Sequence, residues 1–272
     1  MNYKYSNLKF WDSIVQEHVQ SEFYDVPGFL KGKTSLDSVE LELVGDVKGQ
    51  TLLHLQCHFG LSTLSWARLG AIATGVDFSP AAITAANELS RKSGIHARFV
   101  ESNIYNLSSN LVNEYDIVFA SYGVLCWLPD LTEWAKEIAH CMKKGGRFHL
   151  VEYHPLMTSL DSGEGKEVLL RNSYFNEGVE IFEAEGSYAT PESSIKNSTY
   201  EWSHSIGEVI TALLEAGLNI DNFAEYPYAT DGGFVSYLSK SEDVKWRVPD
   251  HKWGVPLSYS LSASKKSSEL LH

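Results

Sequence analysis

Residues 51–77 read TLLHLQCHFGLSTLSWARLGAIATGVD, and this stretch decides the fold. Residues 52–55 are a short apolar run, and Gln56, Cys57, His58, Phe59 and Gly60 make a tight loop. An amphipathic helix follows, and then a second apolar run, 72–76, closes on Asp77. A strand that turns straight into a helix aims the helix's first, unpartnered N–H groups at whatever lies beyond the strand. An acid at the tip of the next strand can accept both hydroxyls of a ribose. Together these elements describe half of a nucleoside-binding site.

The pattern continues outward from that stretch. Ser79-Pro80 is an N-cap followed by proline at the first helical position; Ile83, Ala86 and Leu89 form the stripe behind it, and Gly94 stops the helix. Residues 97–100 read as a third strand and 115–121 as a fourth. Asp130 caps a helix carrying Leu131, Trp134 and Ile138, predicted to end at Gly145-Gly146, and 147–152 read as a fifth strand. Repeated strand–helix units predict an α/β fold: a doubly wound, mostly parallel sheet with helices on both faces. Right-handed crossovers put every carboxyl end of such a sheet on one edge, where ligands bind. Toward the C-terminus, 205–216 reads as a helix with Ile206, Val209, Ile210 and Leu213 on one face, and 218–226 as a sixth strand. Residues 255–263 alternate cleanly through Val255, Leu257, Tyr259, Leu261 and Ala263, the pattern of a half-buried or edge strand.

Two regions break the rhythm. Residues 1–46 carry Phe10, Trp11, Ile14, Val15 and His18 at helical spacing, then Tyr24 and a break at Pro27-Gly28. On composition such aromatics are core. Residues 155–200 are polar, rich in Glu and Ser and without a clean period. They are expected to insert as a substrate-side cap or an irregular sheet. The tail, 265–272, is expected to be disordered.

Composition removes several function classes. The chain has 272 residues and a net charge of −13, which repels phosphate backbones and anionic membranes. Lys143-Lys144 and Lys265-Lys266 are isolated basic pairs, so nucleic acid is not an expected partner. No run approaches the roughly 18 apolar residues of a membrane span, and residues 1–13, MNYKYSNLKFWDS, lack a signal-peptide core. Cys57, Cys126 and Cys141 are odd in number and widely spaced, which suits a reducing cytoplasm. The expectation is a cytoplasmic monomer or homodimer. His54, Cys57 and His58 superficially suggest a metal or haem site, but the spacing matches neither C-x-x-C-H nor a zinc pair, so no metal is expected.

The loop then separates two nucleoside cofactors. A pyrophosphate wants three glycines, G-x-G-x-x-G, so that the backbone can approach it. This loop has one, Gly60, which argues against NAD or FAD. S-adenosylmethionine (SAM) has no di-anion to cradle. At this point residues 53–60, LHLQCHFG, resemble the first motif of the class I SAM-dependent methyltransferases, an apolar strand, an acid and G-x-G-x-G. His54 stands where that family usually has an acid, and Gln56 and His58 where it usually has glycine; LHLQCHFG is read as a variant of the small-molecule branch.

The resemblance implies a Rossmann-like sheet of seven strands whose last strand is antiparallel and lies between the fifth and sixth. It implies an N-terminal helical lid over 1–46, a SAM-binding core over 47–154, the insertion over 155–200 and completion of the core over 201–264. Asp77 would bind the ribose hydroxyls and Phe78 would flank the adenine. Asn103 would take the adenine amino group, with Ile104 against the purine. Leu55, Gln56, Cys57, His58 and Gly60 would border the cofactor, and Ser121 and Tyr122 would form the floor under its methionine part. Tyr24, Trp127 and His154 are candidates for the acceptor pocket. Tyr24 and His154 are also the candidate catalytic groups, His154 because an imidazole titrates near working pH; a hydrogen-bonded loop histidine is the plainer reading of it. His204 is a weaker candidate of the same kind. The aromatics Tyr24, Tyr122, Trp127, Tyr153 and Tyr228 would suit a positive sulfonium through cation–π contacts. The implied activity is methyl transfer to a small-molecule nucleophile, N or O foremost. A non-catalytic SAM-binding protein, a protein methyltransferase and an NAD-linked oxidoreductase are the rival readings.

Overall fold

Leu52, Leu53 and Leu55 are fully buried, and the alternation of their strand, β1 (Thr51–Leu55), sends them to two different cores. In the computed structural model, which describes residues 3–111, 114–162, 168–232, 235–249 and 254–266, Leu53 and Leu55 pack with Trp134, Ile138 and Leu213. Leu52 faces the opposite way, against Trp66, Ala73 and Phe119. A strand apolar on both faces needs a layer on each side, and the chain supplies both.

The strands β2 (Ile72–Asp77), β3 (Arg98–Glu101), β4 (Tyr115–Ala120) and β5 (Met142–Tyr153) are parallel to β1. Between them run α4 (Leu61–Arg68), α5 (Pro80–Ser93), a 3-10 turn (Ile104–Asn106) leading into α6 (Leu107–Asn110), a second 3-10 turn (Leu125–Trp127) and α7 (Leu131–Cys141). After α9 (Ile206–Glu215) the chain returns as β10 (Leu218–Tyr226) and finally β13 (Ser258–Lys265). The order across the sheet is β10-β13-β5-β4-β1-β2-β3. β13 is antiparallel to both neighbours. The seven-stranded, mostly parallel sheet with an inserted antiparallel last strand is therefore as expected.

Three expectations change. The helix predicted to reach Gly145-Gly146 stops at Cys141, and β5 begins at Met142. The glycines make a bulge in β5, where the register against β4 shifts; a Cβ on Gly146 would sit 2.9 Å from the Lys143 carbonyl oxygen. Second, β13 is Ser258–Lys265, not 255–263, and it is an interior strand, buried from Ser258 to Ala263. Its alternating serines do not face water. Tyr226 OH pairs with Ser260 Oγ at 3.0 Å, His149 Nδ1 with Ser262 Oγ at 2.8 Å, and Ser258 Oγ donates to the Tyr228 carbonyl at 2.7 Å. Polar residues can fill an inner face when each finds a partner. Third, Lys265 of the expected disordered tail closes β13, its Nζ donating to the Ala139 and Met142 carbonyls; residues 267–272 lie outside the described residues.

Two covers sit over the carboxyl edge. The first is α1 (Tyr3–Gln20), followed by α2 (Val26–Leu30) and α3 (Ser38–Val44). Phe10, Ile14 and Val15 bury the inner stripe of α1. The second is the 155–200 insertion. It holds α8 (Pro155–Ser159) and two hairpins, β6 (Leu160–Ser162) with β7 (Val168–Leu170) and β8 (Glu180–Glu185) with β9 (Lys196–Glu201). Asn7 of α1 bonds both backbone groups of Tyr200 in β9, at 2.8 and 2.9 Å. A short pair, β11 (Ser239–Lys240) with β12 (Trp246–Arg247), lies between β10 and β13.

Candidate functional site

The loop after β1 keeps a backbone that glycine adopts freely, without the glycines. Gln56 and His58 have φ of +49° and +50°, two of the four non-glycine left-handed residues among those described. Each such residue costs about 1–2 kcal/mol, and strain of this kind gathers at functional sites. Gly60, at φ +79°, cannot be replaced cheaply, because a Cβ there would meet the Phe99 ring at 2.5 Å.

Three of the loop's amides are spent inside the protein. Cys57 N–H donates to the Val76 carbonyl, Gly60 N–H to the Cys57 carbonyl, and His58 N–H to Asp77 Oδ2 at 2.8 Å. Asp77 Oδ1 accepts the Ser79 amide at 2.9 Å. Burial pushes the Asp77 carboxyl up to about 6, against the pull of the amides that hydrogen-bond it.

Above the loop lies a cavity of about 190 Å³. Of the residues singled out from the sequence, it is lined by Gln56, Cys57, His58, Gly60, Asp77, Phe78, Asn103, Ile104, Ser121, Tyr122, Tyr24 and Trp127. Side chains from the ends of β1, β2, β3 and β4 thus meet those of the N-terminal cover. Asn103 Oδ1 accepts the Tyr105 amide at 3.0 Å, capping the 3-10 turn, so its NH2 is the freer end of the amide. Tyr122 OH donates to Asp37 Oδ2 at 2.6 Å, which ties the β4 end to the start of α3.

Other candidates fall elsewhere. Leu55 is fully buried in the core beneath the site, because the strand's alternation turns it away from the edge. His154 does not reach the cavity. Its Nδ1 accepts the Leu156 amide at 3.1 Å as the cap of α8, and its Nε2 faces Glu225 Oε1 at 2.9 Å. Both ring nitrogens are committed, so it has no free lone pair to act as a base. His204 is held by the Leu128 carbonyl at 2.7 Å. Tyr228 instead lies under Lys245, whose Nζ is 3.5 Å from the ring centre, and Tyr153 packs on Tyr122 with centroids 5.3 Å apart. His54, by contrast, lies at the cavity's base, bonded to Thr63 Oγ1 at 2.8 Å, with burial pushing its imidazole down to about 3. Among the described residues no group of three His, Cys, Asp or Glu side chains could hold a metal ion.

The structure adds residues to the site that the sequence either left unremarked or, as with Trp11 and His18, placed in the core stripe of the first helix. Asn7 and Trp11 line the cavity from α1, and Tyr188 lines it from the insertion. His18 Nδ1 meets His58 Nε2 at 2.9 Å, and His18 Nε2 meets Ser187 Oγ at 2.8 Å. Tyr24 OH hydrogen-bonds Tyr188 OH. One chain of side chains therefore joins the strained loop, α1 and the insertion. Burial pushes His18 down to about 4 and His58 well below the ordinary imidazole range, so both are neutral at pH 7. Asn7, Trp11 and His18 recur at i, i+4 and i+11 beside the core stripe, a polar-aromatic edge that marks this helix face as more than core. Tyr188 had no such signal, since nothing periodic surrounds it.

Residues 53–148 match the family model described as a methyltransferase domain. A ubiquinone biosynthesis O-methyltransferase of Xanthomonas euvesicatoria pv. vesicatoria is 29% identical over 133 residues, 48% of this chain and 55% of that protein. The chain thus spans about half the length of the curated relatives it matches. Among solved structures, a putative SAM-dependent methyltransferase from Listeria monocytogenes aligns with a TM-score of 0.59 at 19% identity, covering 83% of this chain and 95% of that one. The glycopeptide N-methyltransferase MtfA, solved with SAM, aligns with a TM-score of 0.54 at 12% identity, covering 83% and 85%. At these identities the structures speak for the fold.

Proposed function

We propose that this chain is a SAM-dependent methyltransferase acting on an N or O nucleophile of a small molecule. The observation that carries the reading is Asp77, buried at the tip of β2 and bonded to a strained loop that has one glycine where a pyrophosphate wants three. The match of residues 53–148 to a methyltransferase domain supports it.

The lining residues fit SAM by their chemistry. The remaining lone pairs of Asp77 can accept the ribose hydroxyls, and Phe78 and Ile104 offer apolar faces to the purine. The Asn103 NH2 can donate to a ring nitrogen, its oxygen being engaged by Tyr105. Gln56, Cys57, His58, Gly60 and Ser121 border the methionine end. When bound, SAM supplies an electrophilic methyl on a sulfonium and leaves as a neutral thioether.

The protein's own task is alignment and exclusion of water, and orientation alone can lower a barrier by several kcal/mol. Trp11, Trp127, Tyr122, Tyr24 and Tyr188 form the aromatic wall that performs it and presents π faces to a cation. Burial holds the Tyr24 phenol well above its ordinary pKa, so it keeps its proton and can only orient an acceptor. His154 is engaged elsewhere and Tyr24 keeps its proton, so neither candidate catalytic group serves as a base. That favours an acceptor that attacks in its neutral form, such as an amine.

Calorimetric titration with SAM and NAD tests the reading. Wild-type protein is expected to bind SAM and not NAD, and Asp77→Ala to weaken SAM by about 100-fold or more, as losing two charge-assisted hydrogen bonds implies. Wild-type protein that binds NAD, or fails to bind SAM, overturns it.

A further inference from the structure

The turn after β8, Ser187-Tyr188-Ala189-Thr190, closes through backbone bonds in both directions between Ser187 and Thr190. It puts Tyr188 into the cavity wall and brings two hydroxyls together, Ser187 Oγ and Thr190 Oγ1 at 3.0 Å. Thr190 Oγ1 donates to Glu17 Oε2 at 3.2 Å, and Ser187 Oγ meets His18 Nε2 at 2.8 Å. His18 Nδ1 in turn meets His58 Nε2 at 2.9 Å, and the His58 ring lines the cavity. These side chains form one unbroken file from the cavity to Glu17, which is half-buried on α1.

The far end of the file sets its direction. A carboxylate has no proton to donate, so Thr190 gives its one hydroxyl proton to Glu17. Thr190 Oγ1 must then accept from Ser187, whose own hydroxyl proton is used in turn. Ser187 Oγ therefore accepts from His18, which places the His18 proton on Nε2. Burial keeps both imidazoles neutral, and a neutral ring has one N–H and one lone pair. His18 Nδ1 is then an acceptor, the proton of His58 lies on Nε2, and the His58 lone pair is left on Nδ1. Among the described residues no group bonds His58 Nδ1, and it is not one of the sealed polar atoms of the interior, so it stays open to the cavity its ring lines. His58 also holds φ +50°, a strain that glycine would not carry and that keeps an imidazole at this place.

Resting on the reading of the preceding subsection, we propose that His58 is the base of methyl transfer and that His18, Ser187 and Thr190 relay the proton to Glu17. A neutral nucleophile that takes the methyl group gains positive charge, and its N–H or O–H becomes acidic. Its electron pair forms the bond to the methyl carbon as the C–S pair returns to sulfur, and its proton moves to His58 Nδ1. Each member of the file passes on one proton as it receives one: His58 Nε2 to His18 Nδ1, His18 Nε2 to Ser187, Ser187 to Thr190, and Thr190 to the Glu17 carboxylate, which yields it to water. Neither ring ends with a charge, so two buried imidazoles in file serve where a single buried one would be a poor base. Exchange with water through the open site returns both rings to their first tautomer.

The test reads tautomers and proton exchange and needs no acceptor. Long-range proton–nitrogen NMR spectra are recorded at neutral pH on protein with isotope-labelled histidine, with S-adenosylhomocysteine bound. His58 and His18 are both expected to carry their proton on Nε2. A His58 proton on Nδ1 overturns the proposal, because no lone pair would then face the acceptor. Thr190→Val keeps the side chain's shape and removes the hydroxyl that joins Ser187 to Glu17. It is expected to slow exchange of the two imidazole protons with water by about 10-fold, the rate equivalent of one lost hydrogen bond, and Thr190→Ser to restore it. Unchanged exchange in Thr190→Val overturns the relay. Faster exchange does so too, since the turn would then only fasten the cover, and so does a Thr190→Ser that stays slow. Wild-type protein that fails to bind S-adenosylhomocysteine in calorimetry overturns the cofactor reading itself. With that binding intact, the wrong tautomer or the wrong exchange overturns this inference alone.

Discussion

The floor of the cavity and its cover are built by different means. The floor, β1 to β4 with their loops, comes from a run of consecutive strand–helix units in which β1, β2 and β3 pair in chain order and β4 crosses back to the other side of β1. The cover, α1 with the 155–200 insertion, is held by side chains far apart in sequence: Asn7 to Tyr200, His18 to Ser187, Tyr24 to Tyr188, and Asp12 to the Ser79 hydroxyl and Ala81 amide at the start of α5. The floor therefore rests on backbone ladders and buried apolar faces, α1 on a buried stripe in which Val15 packs with Phe59, Leu64 and Ala82, and the insertion, with Glu180, Ile181, Phe182 and Glu183 of β8 exposed, on a few polar bonds. Elements with few buried contacts are those that open at the lowest free energy. A site that must admit a ligand and then exclude water needs that difference.

Breaking the floor should have the largest effect. Glu152, buried at the end of β5, accepts the amides of Gly123, Val124, Leu125 and Tyr153 and so moulds the turn behind Tyr122. Glu152→Ala leaves these buried N–H groups without their acceptor and is expected to cost about 3 kcal/mol or more in a urea unfolding titration. A loss near zero would mean that the turn reorganises freely.

Breaking the cover should cost less and stay local. Asn7→Ala removes both bonds to Tyr200 and is expected to cost about 1–2 kcal/mol. Hydrogen exchange should speed up in α1 and β9 and leave β1 to β5 protected. Faster exchange throughout the sheet would show that cover and floor unfold as one unit.

Acid should separate the two regions again. Buried neutral, His18 has a folded pKa of about 4, below its unfolded value of about 6.5. The unfolded state then binds more protons between those limits, so this contribution is whole above about pH 6.5 and is lost as pH falls toward 4. His58 is lowered too, largely by burial. Two protonated rings cannot hydrogen-bond each other, so the cover is expected to open across that window. Trp11 packs against both imidazoles, with centroids 6.2 and 5.2 Å away, and its fluorescence reports the opening. A flat signal from pH 6.5 to 4 in wild type would exclude the histidine link as the latch.

The smallest effect belongs to neither region. Lys92→Ala breaks an exposed i,i+4 pair with Glu88 on α5 and is expected to leave stability and ligand binding unchanged within error. A measurable loss of binding would extend the site to the outer face of α5.

The sequence by itself determined the floor. Periodicity in 51–77, the Ser79-Pro80 cap and the apolar runs to residue 152 specify the strands, their helices and the edge where Asp77, Phe78, Asn103 and Ile104 meet, because strands and helices announce themselves in local spacing. The two glycines after α7 misled, since the same residues that stop a helix also make a bulge. The buried serines of β13 misled too, since alternation cannot tell water from a buried hydroxyl partner. Only the tertiary structure decided the cover: that Tyr188 reaches Tyr24, that His18 takes His58, and that His154 is used up as a cap. The longest of those pairings, Tyr24 to Tyr188, joins residues 164 positions apart, and no period within a short window carries the position of so distant a partner.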